Sequence, residues 1–439
     1  MKARFCGKYS KNSIPDHEKG CSILQSKPKL NLKKSLALFE EAKQLSPGGV
    51  MGIRRPYNFV EGEYPIFLTH GYGGHIVDVD GNDYLDMLCA YGPIILGYSE
   101  PEINQAVAEQ MEKGFCFSLV QPVQNELTKR LIKLIPSAEM AILVKTGSDA
   151  TGVAVRLARG YSGKDKILRC GYHGWHDWCV ETRGGVPKAV QELTLEFPYG
   201  DLEALEKLLK DNRGEVAGII ITPVGHPLAK PVSAPPPGYL EGVRDLADQY
   251  EVVLIFDEVR SGFRVSMGGA QERYGVTPDL SAFGKAMANG YPISACVGKA
   301  EVMREAEEHV FISSTFFPNS LEMVAAMKCL DILERDKVIE AIWERGESFL
   351  NKLNKIVETS GVPAVVSGIP PMPFLTFEKA DDLYKERRIR FYTETIRRGL
   401  FIQPYHHWYI NYRHTAEDLE FALRTIAESL EIVANEHPA

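Results

Sequence analysis

Short apolar runs alternate with amphipathic segments over the middle of the chain, from about residue 101 onwards. The clearest apolar runs are residues 140–144, 166–169, 216–221 and 252–256. Strands that are apolar throughout and separated by helical patterns are typical of a parallel sheet covered on both faces. The pattern therefore predicts an α/β fold in which a mostly parallel central sheet has helices on both sides.

Weaker patterns lie on either side of this region. Residues 36–45 have the spacing of an amphipathic helix that stops at the turn 46–49, and residues 75–87 alternate around a polar turn that indicates a hairpin. Beyond Leu321 the chain predicts helices to about Thr359, strands at 374–377 and 400–403, and a last helix from about Thr415.

These patterns predict four regions of the chain. They are a basic, flexible N-terminal arm (1–35), a helix and hairpin that join the small domain (36–100), a large α/β domain (101–320) and a smaller α+β C-terminal domain (321–439).

Composition narrows the function to small-molecule chemistry. The chain of 439 residues carries a net charge of −8, which favours neither a nucleic-acid partner nor a membrane surface. Its eight cysteines have no CxxC pair or metal-ligand spacing, so we expect a reduced, cytoplasmic protein without a metal site. The first 34 residues hold nine Lys or Arg against two Asp or Glu and no apolar signal core. This arm is either a solvated tail or a contact for an anionic substrate tail, such as a coenzyme A phosphate.

A glycine turn follows the run at 140–144 and leads into a helix. Thr146, Gly147 and Ser148 would lie at the helix N-terminus, where free N–H groups and the helix dipole favour a bound phosphate. The alternative is an ordinary N-cap by Ser148.

Asp257 and Lys285 gain a functional interpretation when they are considered together with this turn. Asp257 ends an apolar run, where an α/β sheet places functional groups, although alone it could equally bind magnesium or cap a helix. Lys285 lies among small residues, although a lone lysine is usually solvated. A phosphate cradle, an amine and a carboxylate are the three groups that pyridoxal phosphate requires, the last to keep its pyridine nitrogen protonated. We therefore interpret Lys285 as the Schiff-base lysine and Asp257 as the partner of the pyridine nitrogen.

With these residues in place, the chain resembles a class III aminotransferase, in the branch close to glutamate-1-semialdehyde aminomutase. The resemblance covers nearly everything after Leu36. The matching segments are residues 46–50, 77–86, 91–97, 172–174, 256–264, 274–280 and 283–285.

The resemblance implies a fold-type I, pyridoxal-phosphate-dependent homodimer with active sites at the subunit interface. Gly147 and Ser148 would hold the phosphate, and Thr315 would reach it from the other subunit. Tyr172 would stack on one face of the cofactor ring and Val259 would pack on the other.

On the substrate side, the resemblance assigns Arg55 to the substrate carboxylate, with Arg54 as the alternative, and Tyr91 to the pocket wall. Two departures point away from aminomutase activity. Thr222 stands where the family usually has a glutamate, which puts the usual arginine gate for 2-oxoglutarate in doubt. His406 stands where the aminomutase has an acidic group. Four aromatic residues near it indicate either a different substrate shape or simple packing of the small domain: Tyr405, Trp408, Tyr409 and Tyr412.

The sequence thus predicts an aminotransferase that moves an amino group from an amino compound, with a β-amino acid or β-amino acyl thioester favoured, to a 2-oxo acid such as 2-oxoglutarate or pyruvate. The alternatives are an aminomutase or amino-acid racemase on the same cofactor, and a cofactor-binding protein that has lost catalysis. A nicotinamide dehydrogenase is disfavoured because no GxGxxG turn follows a strand.

Overall fold

The computed structural model describes residues 25–225, 233–379 and 381–437. Of the basic arm predicted for residues 1–35, residues 1–24 lie outside these ranges. His226 and Pro227, which follow Thr222 in the sequence, also lie outside them. The strands are β1 (Leu68–Tyr72), β2 (His75–Asp78), β3 (Asp83–Asp86), β4 (Met140–Val144), β5 (Lys166–Cys170), β6 (Thr194–Glu196), β7 (Val216–Ile221), β8 (Val253–Asp257), β9 (Leu280–Phe283), β10 (Ser294–Gly298), β11 (Ala364–Ile369), β12 (Met372–Phe377) and β13 (Leu400–Phe401).

The helices alternate with these strands through the middle of the chain and dominate after it. They are α1 (Lys33–Leu45), α2 (Pro101–Lys113), α3 (Val123–Leu134), α4 (Gly147–Ser162), α5 (Lys188–Gln191), α6 (Leu202–Asp211), α7 (Tyr239–Gln249), α8 (Ala270–Tyr274), α9 (Ala300–Met303), α10 (Glu305–Glu308), α11 (Ser320–Arg335), α12 (Val338–Ser360), α13 (Tyr384–Arg397) and α14 (Ala416–Glu436). Among the helices of the described ranges, none combines the length and apolar character needed to cross a bilayer.

A seven-stranded sheet forms the centre of the large domain, in the order β4-β10-β9-β8-β7-β5-β6. β10 runs antiparallel to both of its neighbours, and the other pairings are parallel. Separate clusters of buried apolar side chains pack against the sheet, one of them around α4 and another around α6 and α7. The predicted α/β fold with a mostly parallel sheet is confirmed.

The four strands predicted for this sheet are present, with ends that differ by one residue at β5 and β8. The short strands β6, β9 and β10 were not predicted. β10 has the sequence Ser-Ala-Cys-Val-Gly, which lacks a run of large apolar residues. It is a strand because it pairs with β4 on one side and β9 on the other, and this tertiary pairing overrides weak local preference.

A second sheet joins the two ends of the chain, in the order β1-β2-β3-β13. β1 and β2 form an antiparallel hairpin, and β13 from the C-terminal region pairs parallel to β3. The turn at residues 80–83 lies between β2 and β3, as the alternating pattern indicated. β11 and β12 form a separate two-stranded sheet that packs with α12 and α13.

The chain before α1 is held against the body of the protein. The Ser26 hydroxyl donates to Glu394 at 2.5 Å, and Leu32 is buried. α1 begins at Lys33, three residues before the predicted start, because the N–H groups of Lys34 and Ser35 donate to the Asp80 carboxylate at 2.9 Å. A carboxylate at these first N–H groups acts as a cap that the local sequence does not supply.

Candidate active site

A cavity of about 380 Å³ opens at the carboxyl ends of the parallel strands, where an open α/β sheet places ligands. Six of the residues predicted from the sequence to bind the cofactor line it: Gly147, Ser148, Tyr172, Asp257, Val259 and Lys285. Residues separated by more than a hundred positions in the chain therefore meet in one place.

The turn after β4 forms the N-terminus of α4 and one end of the cavity. Thr146 is the N-cap: its hydroxyl accepts from the Asp149 N–H, and the Asp149 carboxylate accepts from the Thr146 N–H. The alternative cap by Ser148 is therefore wrong. The N–H groups of Gly147 and Ser148, in the first turn, have no acceptor within the helix and are available to an anion.

Glycine at position 147 is required by a close approach. A Cβ there would lie 2.8 Å from Cγ1 of Val259, which is closer than carbon atoms pack. The phosphate turn and Val259 are thus in direct contact, and a flat ring above Val259 could extend a phosphate to the turn.

Asp257 ends β8 with its carboxylate oriented by two donors. Its Oδ1 accepts from the Val259 N–H at 3.1 Å, and its Oδ2 lies 2.8 Å from Nδ1 of buried His173. The His173 ring stacks on Trp178 with centroids 6.2 Å apart. These contacts fix the direction in which the remaining lone pairs of the carboxylate point.

Lys285 follows β9 and has a left-handed backbone, with φ of 47°. The pKa of Lys285 is lowered to about 7, first by burial and then by repulsion from Arg260 and Arg264, while Asp257 opposes them. A neutral amine is therefore accessible near physiological pH, which is the form that attacks a carbonyl carbon.

Tyr172 lies two residues after the carboxyl end of β5 and lines the cavity. Its side chain is 44% exposed, and it belongs to the loop that also places Trp175 on the cavity wall. Thr222 lines the cavity as well and is buried. A neutral hydroxyl therefore occupies this position of the site, where the family pattern has a carboxylate.

Tyr91 and His406 form an aromatic contact. Their rings meet edge to face with centroids 5.2 Å apart, and the Tyr91 hydroxyl donates to the Ile53 carbonyl at 3.1 Å. Burial and the positive charge of Arg260 lower the pKa of His406 to about 3, so His406 is neutral at physiological pH. Its Nδ1 donates to the His407 carbonyl at 2.8 Å.

Arg54 and Arg55 make different contacts. The guanidinium of Arg54 lies 5.8 Å from the centre of the Tyr91 ring. The Nε of Arg55 instead donates to the Val50 carbonyl at 3.3 Å, and its guanidinium packs beside Gly48. Arg55 and Tyr91 are not among the residues that line the cavity of this single chain, and neither is Thr315, which is exposed.

The aromatic residues near His406 were interpreted either as shaping the substrate pocket or as packing the small domain, and they differ in which interpretation they fit. Trp408 is fully buried in the main apolar core and packs the small domain. Tyr409 is also buried, but it interacts electrostatically with Arg260 of the cavity lining, and its hydroxyl donates to the Tyr91 carbonyl at 3.3 Å. Tyr405 hydrogen-bonds to Arg388 at 3.0 Å.

Two residues of the site were missed at the sequence level. His173 lies inside the matched segment 172–174, and Arg260 lies three positions after Asp257. Arg260 could have been recognised in the sequence because it is a charged residue close to the carboxylate that ends a strand. The partner of each is distant in the chain, His173 meeting Asp257 and Arg260 meeting Tyr409, so no local pattern assigned them a role.

The residues of this cavity fit pyridoxal phosphate. A helix N-terminus with free N–H groups, a carboxylate held by His173 and a lysine of lowered pKa match the phosphate, the ring nitrogen and the aldehyde of the cofactor. Val259 offers an apolar surface against the turn that would hold the phosphate.

Comparison with known proteins agrees with this geometry. The family model "Aminotransferase class-III" matches residues 57–434, so the chain belongs to the class-III aminotransferase family. It is an enzyme that uses pyridoxal phosphate and moves an amino group between an amino compound and a 2-oxo acid.

The relatives differ in how similar they are. A 3-aminobutyryl-CoA aminotransferase from Cloacimonas acidaminovorans (strain Evry) is 60% identical over 92% of this chain and 98% of its own. A glutamate-1-semialdehyde 2,1-aminomutase from Archaeoglobus fulgidus is 35% identical over 91% of this chain and 100% of its own. The structure of FumI from Sphingopyxis sp. MTA144, in its PLP internal aldimine form, superimposes with a TM-score of 0.88 and 27% identity, covering 93% of this chain and 98% of that one.

Proposed function

We propose that this aminotransferase takes the amino group of a β-amino acyl thioester of the 3-aminobutyryl-CoA kind and delivers it to a 2-oxo acid such as 2-oxoglutarate or pyruvate. The observation that carries the proposal is the 60% identity, over nearly the full length of both chains, to a relative with that donor in its name. The aminomutases are much less similar, at 35% for the archaeal relative.

The substrate side of the cavity supports this donor. His406 is neutral and Tyr91 keeps its proton, since burial raises the pKa of Tyr91 to about 12. A substrate with a second amino group would need a carboxylate beside these two residues, and His406 supplies none. A thioester of a short β-amino acid carries one amino group and suits an aromatic, uncharged wall.

Within the site, we assign Asp257 to the pyridine nitrogen, Gly147 and Ser148 to the phosphate, and Tyr172 and Val259 to the two faces of the ring. When bound, the cofactor supplies an electron sink for the substrate carbon that loses its proton. His173 acts as a positioning residue, because it holds the carboxylate of Asp257 at 2.8 Å.

Lys285 has two tasks in this proposal. Its Nζ would hold the aldehyde carbon of the cofactor, and in its neutral form the amine would accept the proton from the substrate carbon and hold it for return. The pKa of about 7 suits both steps, because a base works best when its pKa lies near the operating pH.

Arg55 and Tyr91 remain our candidates for substrate contacts outside the cavity floor, with Arg54 as the alternative to Arg55. Arg54 has the more direct route, since it already packs over Tyr91. The basic arm ahead of residue 25 is a candidate contact for the phosphates of a thioester carrier.

We further propose a cytoplasmic homodimer in which Thr315 completes the phosphate site of the partner. Exposed apolar side chains lie in the segments near Thr315: Phe311 is 80% exposed and Leu119 is 81% exposed. The segments that carry them are adjacent, because the Ser320 N–H donates to the Phe115 carbonyl at 3.1 Å. Apolar surface of this extent is typical of a protein interface.

The test is a donor panel followed through the cofactor's visible absorbance. Enzyme in the resting form is mixed with a 3-aminobutyryl thioester, free 3-aminobutyrate, an α-amino acid and an ω-amine, each without a 2-oxo acid. The proposal expects the thioester to bleach the absorbance with the highest ratio of rate to half-saturating concentration. A higher ratio for the free acid or the ω-amine would show that the donor class is wrong.

A further inference from the structure

Arg260 lines the cavity and has no role in the assignments above. Lys145 lines it as well, but its amine pairs with Glu322 at 3.1 Å. Arg260 interacts electrostatically with buried Tyr409. Its Nε is sealed from solvent and has no hydrogen-bond partner. The side chain therefore has one buried N–H donor without a partner.

The acidic residues nearest to Arg260 in the chain are already engaged. Asp257 accepts from His173 and from the Val259 N–H, and it faces the place of the ring nitrogen. Glu258 points the other way and accepts from the N–H groups of Ala270 and Gln271 at 2.9 and 3.0 Å. Within the described ranges, Arg260 forms no salt bridge, and Asp257, which acts on it electrostatically, is already paired with His173. A half-buried guanidinium in this condition is a binding group for an anion from outside.

Lys285 marks where that anion would lie relative to the chemistry. Arg260 is the first charged group to act on Lys285, and it also acts on His406. Because Arg260 and Lys285 line the same cavity, an anion bound to Arg260 would lie in the cavity that holds the reacting amine.

The two substrates of the proposed reaction differ in this respect. A 2-oxo acid carries a carboxylate bonded directly to the carbon that receives the amine, whereas a β-amino acyl thioester has no carboxylate. We infer that Arg260 is the specificity-determining residue for the acceptor, binding the C1 carboxylate of the 2-oxo acid through its guanidinium fork. The inference rests on the proposed function and deepens it. Arg260 would then provide a fixed binding site for the acceptor carboxylate, in an enzyme where Thr222 replaces the acidic group of the usual arginine gate.

The experiment separates the two half-reactions in the holoenzyme. Wild type is compared with Arg260→Gln, Arg260→Lys and Arg55→Gln, and with Arg304→Gln as a matched control at an exposed arginine that pairs with Glu307. The resting absorbance first shows that each variant is loaded. The donor half-reaction is then measured as bleaching by the amino thioester, and the acceptor half-reaction as recovery of the bleached enzyme at varied 2-oxoglutarate and pyruvate. Binding of succinate and of propionate, which cannot react, is measured on the bleached form.

The inference expects Arg260→Gln to raise the half-saturating concentration of both 2-oxo acids by about 30-fold or more, which is about 2 kcal/mol, and to weaken binding of the unreactive carboxylates. Donor bleaching should change much less than acceptor recovery does; the change expected there is a shift in its pH profile, because the Arg260 charge also lowers the pKa of Lys285. Arg260→Lys should recover part of the loss, and Arg304→Gln should behave as wild type.

Three results would overturn the inference. They are unchanged acceptor binding in Arg260→Gln, equal losses in both half-reactions, and a loss of carboxylate binding in Arg55→Gln that Arg260→Gln does not share. Failure of the wild type to use any 2-oxo acid would instead refute the proposed function, so the two failures are distinguishable.

Discussion

Lys285 and Asp257, at the centre of the cavity, depend on different surroundings for their chemistry. Lys285 gains a neutral amine from burial and from the repulsion of Arg260 and Arg264. Asp257 is instead fixed by hydrogen bonds from His173 and the Val259 backbone. At the scale of single residues, the site thus combines one group with a lowered pKa and one whose orientation is imposed.

The lowered pKa of Lys285 predicts how the apoenzyme takes up its cofactor. Below pH of about 7 the amine is protonated and cannot attack, and above it the neutral form accumulates, whereas an ordinary lysine would require pH near 10.5. The rate of recovery of visible absorbance after adding pyridoxal phosphate should therefore rise through pH 6–8, once the cofactor's own titration is corrected with a free amine. A profile still climbing above pH 9 would contradict the assignment.

The role of His173 predicts a graded response to substitution. His173→Phe removes the donor to Asp257, and a hydrogen bond to a charged group contributes about 1.5–3 kcal/mol, so the dissociation constant of pyridoxal phosphate should rise roughly 10- to 100-fold. His173→Asn retains an N–H donor near the same position and should recover most of the affinity. Equal affinities for the two variants would show that the ring only fills space.

At the scale of elements, left-handed backbone and close approaches shape the site. Cys89, Ala90 and Tyr91 are three consecutive left-handed residues without glycine, and they direct Tyr91 toward His406. Asn289 stabilises the segment that follows Tyr91, since its side chain accepts from the N–H groups of Ile95 and Leu96 at 3.0 and 2.9 Å. Backbone strain of this kind persists only where surrounding contacts maintain it.

Gly346 in α12 provides an element-scale prediction. A Cβ at this position would overlap the Pro370 carbonyl in the turn between β11 and β12. Gly346→Ala should gain up to about 1 kcal/mol of helix propensity but lose about 1–3 kcal/mol to overpacking, so the melting temperature should fall. Gly184→Ala, where a Cβ meets nothing within 4 Å, should leave it nearly unchanged. A melting temperature that rises in Gly346→Ala would contradict this packing.

The sequence predicted elements best where the signal was local. The run at β7 has apolar residues throughout and was placed to the residue, whereas β6, β9 and β10 depend on neighbours that no local window contains. The same difference separates the site residues that the sequence predicted from those that it missed. Lys285, Asp257 and Gly147 lie in motifs with their own spacing, whereas Arg260 is defined by Tyr409, which is distant in the chain.

At the scale of the whole molecule, the proposed dimer accounts for exposed apolar side chains near Thr315. Leu119→Asp with Phe311→Asp should shift the mass in analytical ultracentrifugation toward the monomer, because two charges would be buried in the interface. It should also weaken cofactor binding, since Thr315 would no longer reach the partner. Ile389→Asp, at a residue that is 52% exposed on α13, is the matched control and should keep the wild-type mass. A double variant that retains the wild-type mass would place the interface elsewhere.

The most direct test of the central claim follows the amino nitrogen itself. A 3-aminobutyryl thioester labelled with heavy nitrogen is incubated with the enzyme and 2-oxoglutarate or pyruvate, and the products are analysed by mass spectrometry. The account predicts that the label appears in glutamate or alanine in equal amount to the keto thioester formed, and that Lys285→Ala transfers none. Label that stays in an isomer of the donor without any 2-oxo acid consumed, or transfer that persists in Lys285→Ala, would contradict it.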